Sequence, residues 1–329
     1  MSGAFSKVVK IVAAAAAGTL LLSGCGSAST SPKAADDFPK HPIELVNPWA
    51  AGGSHDAHAR AIASELSKII GKPVSVSIKS GGAGAVGATA VAKQSKADGY
   101  TLLLGDQTSV MARPMAEDLP YTWKDFRPVA QINDSPIVIT VPGDSPYDTI
   151  AEFVAAAKKN PGKLKYGSVT GLGPDQIPVE LLLDLADIKL SHVPFDGGGT
   201  SYRAVLAGDV DMSPLFPATV IKDVKEGRLK ALAVTAHERI AGMPDVPTLK
   251  ESGFAVEWEM FRTVFAPAKT PDAVVKVLAA GFAELAKNAG FIRIVEGLGE
   301  QVEFLSGKEL DDRVKTDAAA LEKLVEGLK

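Results

Sequence analysis

A single cysteine stands among the 329 residues, there is no surplus of positive charge, and no apolar run is long enough to span a bilayer. Each absence removes a class of protein. With only Cys25, no disulfide can form within the chain and a catalytic cysteine is ruled out. The uncharged stretch Ile11 to Leu22 falls short of the roughly 20 residues that a membrane-spanning helix requires. Lys and Arg number 35 against 39 Asp and Glu, a formal charge of −4, so the concentrated basic face that nucleic acid requires is missing. An anionic ligand would therefore have to be held by local amides and not by the overall field. Hydrophobic content of 46% with 22% charged residues excludes wholesale disorder, and the length allows two moderate cores.

The N-terminus reads separately from the rest. Lys7 and Lys10 precede the apolar run, which ends at Leu22-Ser23-Gly24-Cys25. A basic start, a short apolar middle and small residues at the cut are the layout of a secretory signal. Leu-Ser-Gly-Cys resembles the lipobox of bacterial lipoproteins, which implies a signal peptide over 1–24 and a diacylated, palmitate-bearing Cys25 at the new N-terminus. Residues 25–37, small and polar, then form a flexible tether. Loss of Lys7 and Lys10 leaves 33 basic against 39 acidic residues, a formal charge of −6.

From residue 38 onward, strand and helix signals alternate, which predicts an α/β fold. Ile43 to Val46 reads as a strand. It turns through Pro48-Trp49-Ala50-Ala51-Gly52-Gly53-Ser54-His55-Asp56 into a helix whose apolar positions are Ile62, Leu66, Ile69 and Ile70. Further strands are expected over 74–78, 100–104, 125–132, 136–141, 165–168, 191–195, 210–212, 229–234 and 258–265. Helices are expected from about 85 through 91, over 150–159 and 179–185, through Tyr202 to Leu206, and over 271–288 and 310–328. Glycine turns recur at strand-to-helix junctions: Ser80 to Gly87, Val169 to Asp175, and Asp196 to Thr200. Such junctions lie at the carboxyl ends of strands, where open α/β sheets bind ligands, and the first amides of each helix suit an anion. Two lobes built this way would face each other across a cleft.

Three chemical readings compete. Gly82-Ala83-Gly84-Ala85-Val86-Gly87 matches the dinucleotide fingerprint, but the acid near Asp106 follows the next strand instead of ending it, and a tight turn of small residues packed against another loop accounts for the glycines. His55, Asp56 and His58 begin one helix and could chelate a metal, yet no third ligand is apparent and the helix dipole alone favours Asp56 there. Gly167-Ser168-Val169-Thr170-Gly171 is not a nucleophile elbow, and nothing in the sequence pairs His192 or His237 with a serine. Neither cofactor nor metal is expected.

The stretch Phe38 to Arg60 closely resembles the opening of the substrate-binding receptors of tripartite tricarboxylate transporters, the Bug receptors. The similarity continues through Gly82-Ala83-Gly84, Ala97 to Leu102, His192 to Gly198, Met243 to Gly253 and Phe265 to Pro271. The resemblance implies a type II periplasmic-binding-protein fold: two α/β lobes joined by two crossing strands, near 136–142 and 258–266, with a ligand cleft between them. Domain 1 would comprise 38–138 plus 266–329, and domain 2 would comprise 139–265. It also implies that backbone amides of two loops hold one ligand carboxylate, partly through water. Those loops would contribute Trp49, Ala51, Gly52, Gly53, Ser54 and Asp56 on one side, and Gly167, Ser168, Thr170 and Gly171 on the other. Gln107 and Thr108, with Asp196 and Gly197, would line the distal end.

The chain departs from the family pattern in several places. Gln176 takes a histidine position, the glycines of the second loop shift by one, Ile78-Lys79-Ser80 replaces Glu-Asn-Arg, and Asn47 and Trp49 replace valine and phenylalanine. The expected function is a lipid-anchored, monomeric, extracytoplasmic receptor, not an enzyme, that delivers a small di- or tricarboxylate to membrane permease subunits. A sensor with the same cleft and a signalling membrane partner is the rival, and a metal-dependent or hydrolytic enzyme a more distant one.

Overall fold

The computed structural model describes residues 38–169 and 172–327; the signal, the tether with Cys25, and Thr170 and Gly171 lie outside the described residues. The first sheet begins with β1 (Ile43–Asn47), α1 (Ser54–Ile70), β2 (Val74–Ile78), α2 (Ala85–Thr89, widening into a π turn over Ala90–Gln94) and β3 (Thr101–Gly105). A π turn (Thr108–Ala112) and α3 (Arg113–Ala116) lead to the long β4 (Phe126–Pro136). A second group follows: β5 (Val138–Pro142), α4 (Ile150–Lys159), β6 (Lys165–Val169), α5 (Gln176–Ala186), β7 (Ser191–Phe195), α6 (Gly198–Leu206), β8 (Ser213–Leu215), α7 (Pro217–Lys225) and β9 (Leu229–Val234). The chain then returns through β10 (Glu259–Pro267) to α8 (Asp272–Ala286), α9 (Ala289–Gly297) and α10 (Gly307–Gly327).

The order of the first sheet is β2-β1-β3-β10-β4, with β1 parallel to both neighbours and β10 antiparallel to β3 and β4. Both of its faces are covered, which explains why Leu102-Leu103-Leu104 is an unbroken apolar run where a half-exposed strand would alternate. Leu102 and Leu104 point into a core with α1, α8 and α9 (Ile62, Leu66, Leu278, Phe282, Phe291). Leu103 points the other way, into a core closed by Leu310, Val314 and Leu321 of α10. In the second group β5 is central, between β8 and β9. Ile137 and Ile139 meet α4 and α5 on one face, while Val138 meets α6 and α7 on the other. A parallel bridge between Tyr166 and Met212 brings the β6–β7 pair alongside β8.

Local signals place the helices. Thr149 and Glu152 form a reciprocal capping box that starts α4 where the sequence places it, and Gly71, at φ 66°, ends α1 in the left-handed region. The sequence reading omitted α7, α9 and the turns over 108–116. None of these exceeds 9 residues, so each offers at most two and a half turns in which apolar spacing could mark a helix.

Two strands connect the groups. β4 runs directly into β5 at Ile137, and β10 returns antiparallel to β4 along its whole length, from Glu259 opposite Pro136 to Pro267 opposite Phe126. Thr235, fully buried, ties the outgoing and returning segments together. Its hydroxyl accepts from Ile137 N–H at 2.8 Å and donates to Trp258 C=O at 2.5 Å, while its own N–H bonds Ile137 C=O at 2.9 Å. Thr235→Val leaves Ile137 N–H buried without an acceptor, a cost of about 1–3 kcal/mol. Chemical denaturation should register that loss as a lowered midpoint with unchanged slope.

Candidate functional site

The loop after β1 is held rigid from within. Asn47 Oδ1 accepts Trp49 N–H at 3.0 Å, and Gly52, at φ 81°, adopts a conformation that side chains other than glycine rarely take. Gly84 and Gly87 of the second glycine loop press against it. A Cβ on Gly87 would come within 2.8 Å of Pro48, and one on Gly84 within 2.6 Å of Ser109. The dinucleotide-like glycines are thus the packing surface for another loop. Asp56 turns inward, accepting Gly52 N–H at 3.0 Å through Oδ2 and pairing with Arg60 at 3.0 Å through Oδ1. The amides of the first turn of α1 have no acceptor within the helix and carry the positive end of its dipole.

Behind this loop sits Asp106, at the end of β3. Its Oδ2 accepts the Trp49 indole N–H at 2.6 Å and lies 3.2 Å from His55 Nε2, and its Oδ1 accepts Ser109 N–H at 2.8 Å. Burial alone would raise the Asp106 pKa, but the bonds from His55, Ser109 and Trp49 outweigh it and hold the carboxyl below the usual range. Burial lowers His55 to about 4, so its ring is neutral near pH 7. Sequence reasoning weighed Asp106 only as a misplaced ribose-binding acid and missed this role.

A second buried network holds the start of α1. Arg262 of β10 and Glu300, both fully buried as side chains, pair at 2.6 Å. Arg262 Nη2 also donates to Ser54 Oγ at 2.5 Å, and Glu300 Oε2 lies 3.1 Å from His58 Nε2 and accepts from Ser135 and Asn133 of β4. Burial alone would raise the Glu300 pKa, but Arg262 and His58 outweigh it and drive it strongly down. His55 and His58 therefore serve two different carboxylates, and among the described residues no group of three or more His, Cys, Asp or Glu could hold a metal.

A cavity of about 190 Å³ opens where these elements meet the second group of strands. Trp49 to His55 form one wall. The opposite wall comes from the ends of three strands: Val169 with Pro174 and Asp175 after β6, Asp196 to Thr200 after β7, and Pro214 to Phe216 at β8. Phe216 in turn lies under the Arg262 guanidinium, 5.4 Å from ring centroid to Cζ. Among the described residues, Arg203 of α6 is the one Lys or Arg in the lining. A larger cavity of about 690 Å³ is lined by Asp134, Glu238, Glu259, Glu296, Glu300 and Glu303, a charge of the wrong sign for an anion.

Of the residues singled out from sequence, Trp49, Ala51, Gly52, Gly53, Ser54, Asp196 and Gly197 fall in the lining of the smaller cavity. The others do not. Asp56 lies behind the loop. Gln107 is buried and clamps β10, donating to Glu259 C=O and accepting Phe261 N–H, both at 3.0 Å, and Thr108 is fully buried beside it. Gly167 C=O accepts the Ser201 and Ser213 hydroxyls at 2.9 Å each. Ser168 Oγ lies 2.9 Å from His192 Nε2, a pairing invisible in sequence, but the serine is fully buried and out of reach of any substrate.

Asp175 has the least expected surroundings. It is 3% exposed; Oδ2 accepts Val169 N–H at 3.0 Å, and Oδ1 has no hydrogen-bond partner. Burial raises its carboxyl to about 7.

A two-lobed α/β body, crossed by two strands and closing on a small cavity at strand ends and a helix N-terminus, is the construction of a solute-binding protein. No helix among the described residues is long and apolar enough to cross a membrane. Residues 58–326 match the model of the tripartite tricarboxylate transporter family receptor, and the chain belongs to that family of periplasmic solute-binding receptors. It is 33% identical over 303 residues to the UPF0065 protein of the tcbD–tcbE intergenic region of a Pseudomonas species, covering 91% of this chain and 90% of that one. Among solved structures, it resembles MatC from Rhodopseudomonas palustris with bound malate (27% identity, TM-score 0.80, 88% of this chain and 100% of that one). An R. palustris protein with adipate is also similar (27% identity, TM-score 0.83, 88% and 98%). The family is one of receptors and not of enzymes.

His55 and Asp175 give opposite pH dependences. His55, low when folded, costs stability as pH falls from about 6.5 toward 4, because only the unfolded chain takes up the proton. Asp175, high when folded, costs stability as pH rises from about 4 toward 7, because the folded chain holds the proton longer. The two slopes offset each other, so each is read as a difference from a variant. Against His55→Gln, the native protein should lose stability on acidification. Against Asp175→Asn, it should lose stability on raising the pH to about 7, by about 1.4 kcal/mol for each unit of pKa displacement.

Proposed function

We propose that the protein is a lipid-anchored receptor that captures a small di- or tricarboxylate in the cavity facing α1 and delivers it to the permease of a tripartite tricarboxylate transporter. The observation that carries this reading is the cavity itself: the free amides of the first turn of α1, opposite glycine turns at strand ends, with Arg203 as its one lysine or arginine among the described residues. One ligand carboxylate binds the amides of Ala51, Gly53 and Ser54, directly or through water, and the other meets Arg203, which no hydrogen bond or ion pair commits elsewhere among the described residues. The malate and adipate carried by the two similar R. palustris proteins are ligands of this kind. Gln107, Thr108, Gly167, Ser168 and Asp56 support the walls from behind. Closure would swing 139–265 against 38–138 with 266–329 about the crossing strands, and the signal over 1–24 with acylated Cys25 would tether a monomer outside the cytoplasmic membrane.

Calorimetric titration against a panel of mono-, di- and tricarboxylates tests this reading. Binding of at least one acid with two carboxylates is expected, and silence across the panel overturns it. Arg203→Ala should weaken diacids by about tenfold while sparing monocarboxylates, since one charge-assisted bond is worth about 1.4 kcal/mol or more. Cys25→Ser should move the protein from the membrane fraction to the soluble one.

A further inference from the structure

Trp49 stands in the cavity wall beside the point where the two walls meet: a Cβ on Gly197, opposite, would lie 3.8 Å from that of Ala50. Two bonds fix it. Asn47, fully buried, accepts its backbone N–H at 3.0 Å through Oδ1, and Asp106 Oδ2 accepts its indole N–H at 2.6 Å. The second bond turns the polar edge of the ring back toward the interior. His55 lies 3.2 Å from the same oxygen, with its ring centroid 5.8 Å from that of the indole. His55 is 4% exposed and Trp49 half-buried, so the indole is the outer of the two rings and presents its carbon surface to the cavity. Swinging it aside would strip a donor from a fully buried carboxylate, a bond that is costly to leave unmade. The opposite wall gives no more room. Pro174 and Pro214 have fixed φ, and Phe216 is covered by the Arg262 guanidinium.

The space left between these walls is small. A volume of about 190 Å³ holds roughly six waters at about 30 Å³ each, and it falls below the range of about 300–1,000 Å³ usual for ligand pockets. We propose that Trp49, pinned by Asn47 and Asp106, is the specificity-determining side chain of this receptor: its indole sets the length limit of the cavity, so that compact diacids such as succinate and malate are taken and longer ones such as adipate and pimelate are turned away. This inference rests on the carboxylate reading above. A rigid apolar wall discriminates by size, and each methylene in excess of the fit is worth about tenfold or more in affinity.

The test is calorimetric titration of succinate, glutarate, adipate and pimelate into the whole protein and into Trp49→Phe and Trp49→Leu, each variant checked for native-like melting. In the native protein affinity should fall along the series, with succinate tighter than pimelate by about tenfold or more. Either variant loses the indole and its bond to Asp106 but keeps an apolar side chain, so the affinity for adipate relative to succinate should rise by about tenfold. The ratio is the readout because depriving Asp106 of a donor would weaken every anion alike. A native protein that binds pimelate as tightly as succinate, or an unchanged ratio in both variants, overturns the role of Trp49 and leaves the carboxylate reading standing. Failure of every diacid to bind the native protein overturns both.

Discussion

The pairing of Arg262 with Glu300 is the contact on which the rest of the molecule depends. Both side chains are fully buried, a placement that costs several kcal/mol per ion unless each finds its partner and further hydrogen bonds. They find them in three separate parts of the chain: Ser54 and His58 at the start of α1, Ser135 and Asn133 on β4, and the C-terminal segment that bears Glu300 itself. One ion pair thus fixes the helix N-terminus to the strands that cross between lobes. Phe216, packed against the guanidinium from the other side, brings the second wall of the cavity into the same cluster.

Asp106 works by the same logic one layer forward. A buried carboxylate collects the indole N–H of Trp49, the ring of His55 and the amide of Ser109, and so sets the orientation of two side chains in the cavity wall. The protein places its acids behind the loop and leaves amides in front, a polarity suited to an anion even though the chain as a whole is negative. Asp175 and Asp196 break the pattern by standing in the wall, and Asp175 Oδ1 has no hydrogen-bond partner among the described residues.

Much of this frame was legible before the fold was known. The strand–glycine–helix unit at 43–70 needed only apolar spacing and two glycines. The helix over 150–159 and the strand over 100–104 were expected where α4 and β3 lie. Trp49 and Ala51 to Ser54 could be named as candidates because a glycine turn before a helix is a local feature, and they fall in the lining of the smaller cavity. The helices that went unseen, α7 and α9, are 9 residues each, too short for their apolar spacing to declare them.

The sequence by itself determined the α/β class, the glycine turns at strand ends and the family resemblance, because each is written in residues adjacent along the chain. Only the tertiary structure decided which side chains reach the cavity. It turned Asp56 and Gln107 inward and buried Ser168 against His192. It joined Trp49 and His55 to Asp106 across some fifty residues, and Ser54 to Arg262 across 208. Those choices turn on burial and on which distant donor satisfies which acceptor. Such pairing between remote segments leaves no mark in local spacing.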